Sequence, residues 1–288
     1  MPHHAVIRRD RETTKVHIVF NASSKSSGAV SLNEALHAGT NLNPDVLDLL
    51  LQFRAYQIAL TADVEKAFVL DPQDRDSLRF LWYATASKAD EALPPIETWR
   101  MMRVPFGAKS SPFLLAATIR HHLQSVISRY PRTASLLSSH FYVDDLVVGV
   151  DSVDEGNTLY RESRDILIEA GMKLVKWTSN GSTLWKLFQA EGTASSSTTS
   201  LKKVLGPNWD IDSDEIQLSM KSLSNFLERP VDTKRYVLQA VSRIFDPLGY
   251  VAPFVITAKI LLQCIWLAKL QWDDILPDDI RSVWSNWC

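Results

Sequence analysis

The chain has 288 residues, 31 Lys plus Arg against 33 Asp plus Glu, a net charge of −2, 45% hydrophobic and 22% charged residues. That length can bury a large core, as one elongated or two compact domains. No apolar stretch approaches the ~18–20 residues that cross a bilayer, and two cysteines, Cys264 and Cys288, exclude a disulfide framework and show no zinc-like spacing. Met1-Pro2-His3-His4 has no signal-peptide pattern, so a reducing intracellular setting is expected. The closing Trp284-Ser285-Asn286-Trp287-Cys288 reads as an internal stretch of something longer.

In chain order, Val16 to Phe20 predicts a strand, ended by the Ser/Lys/Gly turn from Ser23 to Gly28. Ser31-Leu32-Asn33-Glu34 has the spacing of a helix start, and Pro44-Asp45 opens a helix with apolar Val46, Leu47, Leu49, Leu50 and Phe53. Ile58 to Ala62 is a short strand running into Asp63-Val64-Glu65-Lys66-Ala67-Phe68. Leu78 to Tyr83 and Thr98 to Val104 are further strands, and Ser110-Ser111-Pro112 opens a helix through Leu123. Ser152 to Ala170 is an amphipathic helix stopped by Gly171, and Met172 to Trp177 is a strand. Thr193 to Ser200 is low in complexity and expected to be a mobile loop, and Thr233 to Cys288 is mostly helical.

The most informative stretch is His140-Phe141-Tyr142-Val143-Asp144-Asp145-Leu146-Val147-Val148-Gly149-Val150. Aspartate is depleted from strands, and an unpaired buried carboxylate is costly. Two acids at the bend of a strand–turn–strand unit therefore suit a divalent cation, although an acidic turn is an equal reading of these residues alone. Asp273-Asp274 and Asp278-Asp279 lie among Trp, Pro and Arg and read as solvated charges. If Asp63 shares a metal with Asp144 and Asp145, its strand must neighbour theirs. Charge is uneven: from Glu97 to Ser135, Arg100, Arg103, Lys109, Arg120, Arg129 and Arg132 face Glu97 alone. Such a stretch suits phosphates or is an ordinary solvated face.

Taken together, these stretches resemble the reverse transcriptase region of BEL/Pao retrotransposons, in the right order over nearly the whole chain. Thr61 to Phe68 looks like the first palm motif, Val104-Pro105-Phe106-Gly107-Ala108-Lys109-Ser110-Ser111-Pro112-Phe113 like the segment under the template and nucleotide, and Phe141 to Asp145 like the Tyr-x-Asp-Asp hairpin. Gly171 to Asn180 and Val204 to Trp209 are similar to later palm segments. Thr233-Lys234-Arg235, Ile244 to Gly249, Ala258-Lys259 and Leu270 to Asp273 are similar to the downstream Pao-type region.

The resemblance implies an α+β right hand with a mixed palm sheet carrying the aspartates. Fingers and palm would occupy 1–190, a Ser/Thr-rich loop 191–202, and the last palm segment with a helical thumb or connection 203–288. It implies an RNA-directed DNA polymerase, also able to copy DNA, that binds RNA template, DNA primer and deoxynucleoside triphosphates in the cytoplasm, within virus-like particles and without a membrane. Two Mg²⁺ ions, or Mn²⁺ in their place, would be held by Asp63, Asp144 and the carbonyl of Val64, with Asp145 in support. Lys176 would protonate pyrophosphate, or is a surface lysine. Phe68 would exclude a 2′-hydroxyl, or is a core residue; Phe106, Gly107 and Tyr142 would complete the nucleotide pocket.

Members of this class usually carry Arg-Val-Val-Phe-Asp-Ala-Ser where this chain has His17-Ile18-Val19-Phe20-Asn21-Ala22-Ser23. His17 cannot make the guanidinium fork that clamps a triphosphate. Val69 to Asp74 is also about three residues shorter than the family's strand, so a decayed remnant with the fold and weak nucleic-acid binding is the competing expectation. An aspartic protease lacks its Asp-Thr/Ser-Gly, and Phe68 and Val143 disfavour an RNA-dependent RNA polymerase. No ribonuclease H or integrase constellation is visible, which would put those domains downstream.

Overall fold

Apolar residues alternate along Ile58–Glu65 and Asp145–Val150, and this period of two decides which side chains face the core. Leu60, Ala62, Val64, Leu146, Val148 and Val150 point into one hydrophobic cluster. Asp63, between two of those core residues, must project from the opposite face.

The computed structural model describes residues 1–7, 16–65, 74–85, 93–102, 107–196, 199–228 and 231–288. Phe68, Phe106 and the shortened stretch 69–73 lie outside the described residues, as does the side chain of His17. The elements are β1 (His3–Ile7), β2 (Val16–Phe20), α1 (Leu32–Ala35), α2 (Val46–Arg54), β3 (Ile58–Glu65), β4 (Arg79–Tyr83), β5 (Ile96–Arg100), α3 (Ser111–Val126), α4 (Pro131–His140), β6 (Phe141–Tyr142), β7 (Asp145–Val150), α5 (Val153–Glu169), β8 (Lys173–Ser179) and α6 (Ser182–Ala190). They continue with β9 (Leu201–Lys203), β10 (Asn208–Asp210), β11 (Glu215–Gln217), α7 (Lys221–Leu227), α8 (Lys234–Val241), α9 (Ala252–Leu267) and α10 (Asp278–Trp287).

The chain divides into two units, 1–45 with 55–195, and 46–54 with 196–288. In the first, the sheet order is β6-β7-β3-β8, and all three pairings are antiparallel. The expected mixed sheet is therefore corrected. The α5 crossover does join two strands of like direction, β7 and β8, but β3 is inserted between them and pairs antiparallel with both. Residues of α3, α4, α5 and α6 cover one face, where Trp177, Tyr160 and Phe188 pack at centroid distances of 4.7–5.5 Å. Asn180 ties the start of β3 to the end of β8, accepting from the Ala59 N–H at 2.8 Å and donating to the Gln57 carbonyl at 3.0 Å. Two further two-stranded ribbons, β1-β2 and β4-β5, complete this unit.

The helix start at Ser31 forms with a full capping box to Glu34, and Ser152 caps α5. Helices α4 and α6 were not expected, and β5 begins at Ile96 rather than Thr98. The supposed mobile loop begins with order: Trp177 and the Thr193–Ser195 segment exchange backbone hydrogen bonds of 2.9 and 3.0 Å along the edge of β8.

The second unit holds α2, the antiparallel sheet β11-β10-β9 and the helices α7 to α10. Here Asp214 accepts from Arg54 Nη1 at 2.6 Å, Arg54 Nη2 at 2.9 Å and Trp209 Nε1 at 2.9 Å. Phe53 packs edge-on against Trp209 at 5.0 Å. Among the helices, buried Lys234 lies 4.2 Å from the Trp266 ring and 5.0 Å from Trp272, donating to the Leu270 carbonyl. Asp214→Ala removes a bidentate pair and an indole acceptor together. It should cost about 1.5–3 kcal/mol, read as an earlier urea transition of tryptophan fluorescence; an unchanged midpoint would show that the network adds nothing.

Candidate active site

The acids are brought together by register. Asp63 on β3 is the direct cross-strand partner of Asp145 on β7, one step beyond the core pair Ala62 and Leu146. Directly opposed residues project from the same face. Asp144 precedes β7 in the turn, and its carbonyl accepts from the Val64 N–H at 2.9 Å. That bond fixes the turn to the strand carrying Asp63. Val143, at the apex, has φ +56°. A β-branched residue there is unusual, since the left-handed region crowds its Cβ.

A second backbone irregularity supplies the counter-charge. On the other flank of β3, Asp63 pairs with Val175 and Thr61 with Thr178, so β8 carries one extra residue opposite Ala62. This bulge lets Leu174 and Trp177 both enter the core. Lys176 takes φ +57°, and its ammonium forms an ion pair with the Asp63 carboxylate. The lysine expected near pyrophosphate thus engages an acid in this structure.

Asp144 is half-buried. Burial first, and then the charge of Asp63, push its carboxyl above the usual aspartate range, with Lys176 partly opposing the rise. Asp145 is exposed, Tyr142 and Asp63 are half-buried, and the Val64 side chain is buried in the core. Among the described residues no three His, Cys, Asp or Glu side chains group as a metal site. Within the expected trio, Asp63 and Asp144 act on each other as a pair, the charge of Asp63 being one cause of the raised Asp144 carboxyl, and Asp145, the first residue of β7 and the cross-strand partner of Asp63, is exposed. The pair does fit a hard divalent cation: two carboxylates repel, one resists ionisation, and a positive charge relieves both.

Gly107 has φ +100°, and a Cβ placed there would lie 3.0 Å from the Phe20 carbonyl oxygen. Its loop is clamped by Asn33, a residue that motif reading passed over. Asn33 donates to the Gly107 carbonyl at 2.9 Å and to Ser23 Oγ at 2.8 Å, and accepts from the Lys109 N–H at 2.9 Å. No local pattern marks it, because Gly107 and Lys109, the two loop residues it holds, lie more than seventy positions away. Asn21 accepts from the Ser23 N–H at 3.2 Å, a turn bond that an amide makes as well as a carboxylate. The other acid pairs are occupied elsewhere: Asp273 by Arg235 at 2.7 and 2.9 Å, Asp274 by the Gln271 N–H, and Asp278 and Asp279 in the first turn of α10.

Solved structures share this arrangement of elements. The foamy viral protease-reverse transcriptase in complex with RNA/DNA hybrid superposes with TM-score 0.59 at 14% identity, over 99% of this chain and 33% of that one. The related dRH form in complex with double-stranded DNA gives TM-score 0.60 at 14% identity, over 99% of this chain and 42% of that one. The chain is similar in fold to retroviral reverse transcriptase. It spans between a third and a half of those proteins. Residues 233–288 match the family model described as Pao retrotransposon-like RNaseH-like domain. A comparison with curated proteins found no match.

Together the fold and the family match support a retroelement polyprotein. The match covers the stretch read as the downstream Pao-type region, and the acid-bearing motifs lie outside it. Within this chain the matched residues form α8, α9 and α10 and contribute one isolated bridge, Thr233–Ile275, with no strand.

The raised Asp144 carboxyl makes a pH prediction. A folded-state pKa above the unfolded one means that the native state loses stability as pH rises through that interval. Asp144→Asn should therefore raise the thermal midpoint at pH 7.5, by a few degrees, and the gain should vanish below the unfolded pKa of about 3.9. A gain that persists at pH 3 would assign it to packing instead.

Proposed function

We propose that this chain is the polymerase region of a BEL/Pao-like retroelement polyprotein and that it extends a DNA primer on an RNA or DNA template. The single observation carrying this reading is the placement of Asp63 and Asp144 on adjoining backbone segments, pinned by the Val64–Asp144 hydrogen bond. In this reading the β3, β6, β7, β8 sheet and its helices are the palm, the β1-β2 and β4-β5 ribbons belong to the fingers, and the helices from α7 onward are thumb or connection. The foamy viral proteins of like fold are complexes with RNA/DNA hybrid and with double-stranded DNA, which supports nucleic-acid binding here.

Asp63, Asp144 and the Val64 carbonyl would hold two Mg²⁺ ions. Such ions, when bound, activate a primer 3′-hydroxyl and neutralise the leaving pyrophosphate. Lys176 balances the acid charge until then, and once displaced it is a cation within reach of the pyrophosphate. Gly107 keeps its loop free of a side chain, so backbone can approach the incoming nucleotide. Phe68 and Phe106 are assigned to that pocket on the motif alone, with Tyr142 beside the acids.

His17 is the element that limits the activity. Replacing a guanidinium contact of ~1.5–3 kcal/mol weakens triphosphate binding by about 10–100-fold. Primer extension on an RNA template, with Mg²⁺ and then Mn²⁺, tests the assignment. The chain should extend slowly, Asp63→Asn and Asp144→Asn should fall to background, and His17→Arg should lower the nucleotide KM by about 10–100-fold. Extension that survives Asp63→Asn would overturn the site. A wild-type chain with no extension under either metal, and none after His17→Arg, would favour the remnant.

A further inference from the structure

The apex residue of the acid turn, Val143, sits at φ +56°, where a β-branched side chain is strained. Strain of this kind persists only where surrounding contacts over-determine it. On one side the Val64 N–H donates to the Asp144 carbonyl at 2.9 Å. On the other, the Val143 N–H donates to Asn43 Oδ1 at 3.1 Å, from a residue one hundred positions upstream.

Asn43 is itself held. Its own N–H donates to Asn41 Oδ1 at 3.1 Å, and Arg120 on α3 donates to the neighbouring Leu42 carbonyl at 2.6 Å. Pro44 follows, and a residue before proline is confined to extended backbone. The amide oxygen is therefore delivered by a segment with little freedom of its own, anchored to a core helix.

We propose that Asn43 is a positioning residue for the Tyr142–Asp145 turn, acting through the Val143 N–H to keep the Asp144 carboxylate beside Asp63. The inference rests on the polymerase reading only for its kinetic consequence. Its structural part stands on the hydrogen bond itself. Without the amide oxygen, Val143 relaxes toward negative φ, the turn rotates, and Asp144 leaves its place. Glycine at 143 carries no such penalty, because it occupies the left-handed region freely.

The test combines amide hydrogen exchange with primer extension on Asn43→Ala, Val143→Gly and the double variant of the full chain. In Asn43→Ala the Val143 amide should lose protection while the core amides of β3 and β7 keep theirs. Extension should fall about 100-fold, the cost of a displacement of about 1 Å at a reacting group, in kcat with the nucleotide KM unchanged. Adding Val143→Gly should recover most of that loss, which a general packing defect would not permit. Unchanged Val143 exchange in Asn43→Ala overturns the proposal, as does a rate loss that glycine fails to rescue. If the wild-type chain shows no extension, the polymerase reading fails by itself, and the exchange arm still decides the role of Asn43.

Discussion

Two like charges held on neighbouring backbone segments need an opposite charge between them, and the first unit is built around that demand. Asp63 sits on the central strand of the sheet, and Asp144 sits in a turn bonded to the same strand. Burial and mutual repulsion keep one proton bound more tightly than usual, and Lys176 supplies the remaining balance. A fold selected for stability alone would replace such a pair with neutral residues. The presence of Asp63 between buried Ala62 and Val64, with Asp144 in the adjoining turn, is a cost that a bound cation would offset.

Two backbone exceptions flank the strand that carries Asp63: Val143 and Lys176 both lie in the left-handed region. Each non-glycine residue so placed costs on the order of 1–3 kcal/mol and must be supported from outside. The bulge at Lys176 has a double result: it returns Trp177 to the core and frees one residue to reach Asp63. Packing and charge balance are thus solved by one inserted position.

Much of this was legible in the residues. Val16–Phe20 formed the expected strand, the capping signal at Ser31 was satisfied, and the apolar run around the acid pair became β6, β7 and their turn. Strand adjacency followed from the requirement that Asp63 meet the turn acids. What escaped was non-local. Helix α4, Pro131–His140, is rich in serine and carries too few apolar residues to announce itself; it forms because Ala134 and Leu137 bury against the sheet layer. The antiparallel placement of β3 between β7 and β8 depends on chain topology, which periodicity does not encode. Asn33 and Asn43 act on backbone groups far along the chain, and an asparagine, in a short helix or in a loop, looks the same in sequence whether or not it clamps another segment. The bulge was hidden because a lysine offers no hint of left-handed backbone.

The central claim is that Asp63 and Asp144 form one cation site, and Mn²⁺ titration followed by electron paramagnetic resonance addresses it without requiring turnover. The account predicts that the wild-type chain binds Mn²⁺, that Asp63→Asn and Asp144→Asn each abolish the tight site, and that Asp273→Asn, whose acid is paired with Arg235, leaves it intact. Equal Mn²⁺ binding by the wild-type chain and Asp63→Asn would contradict it.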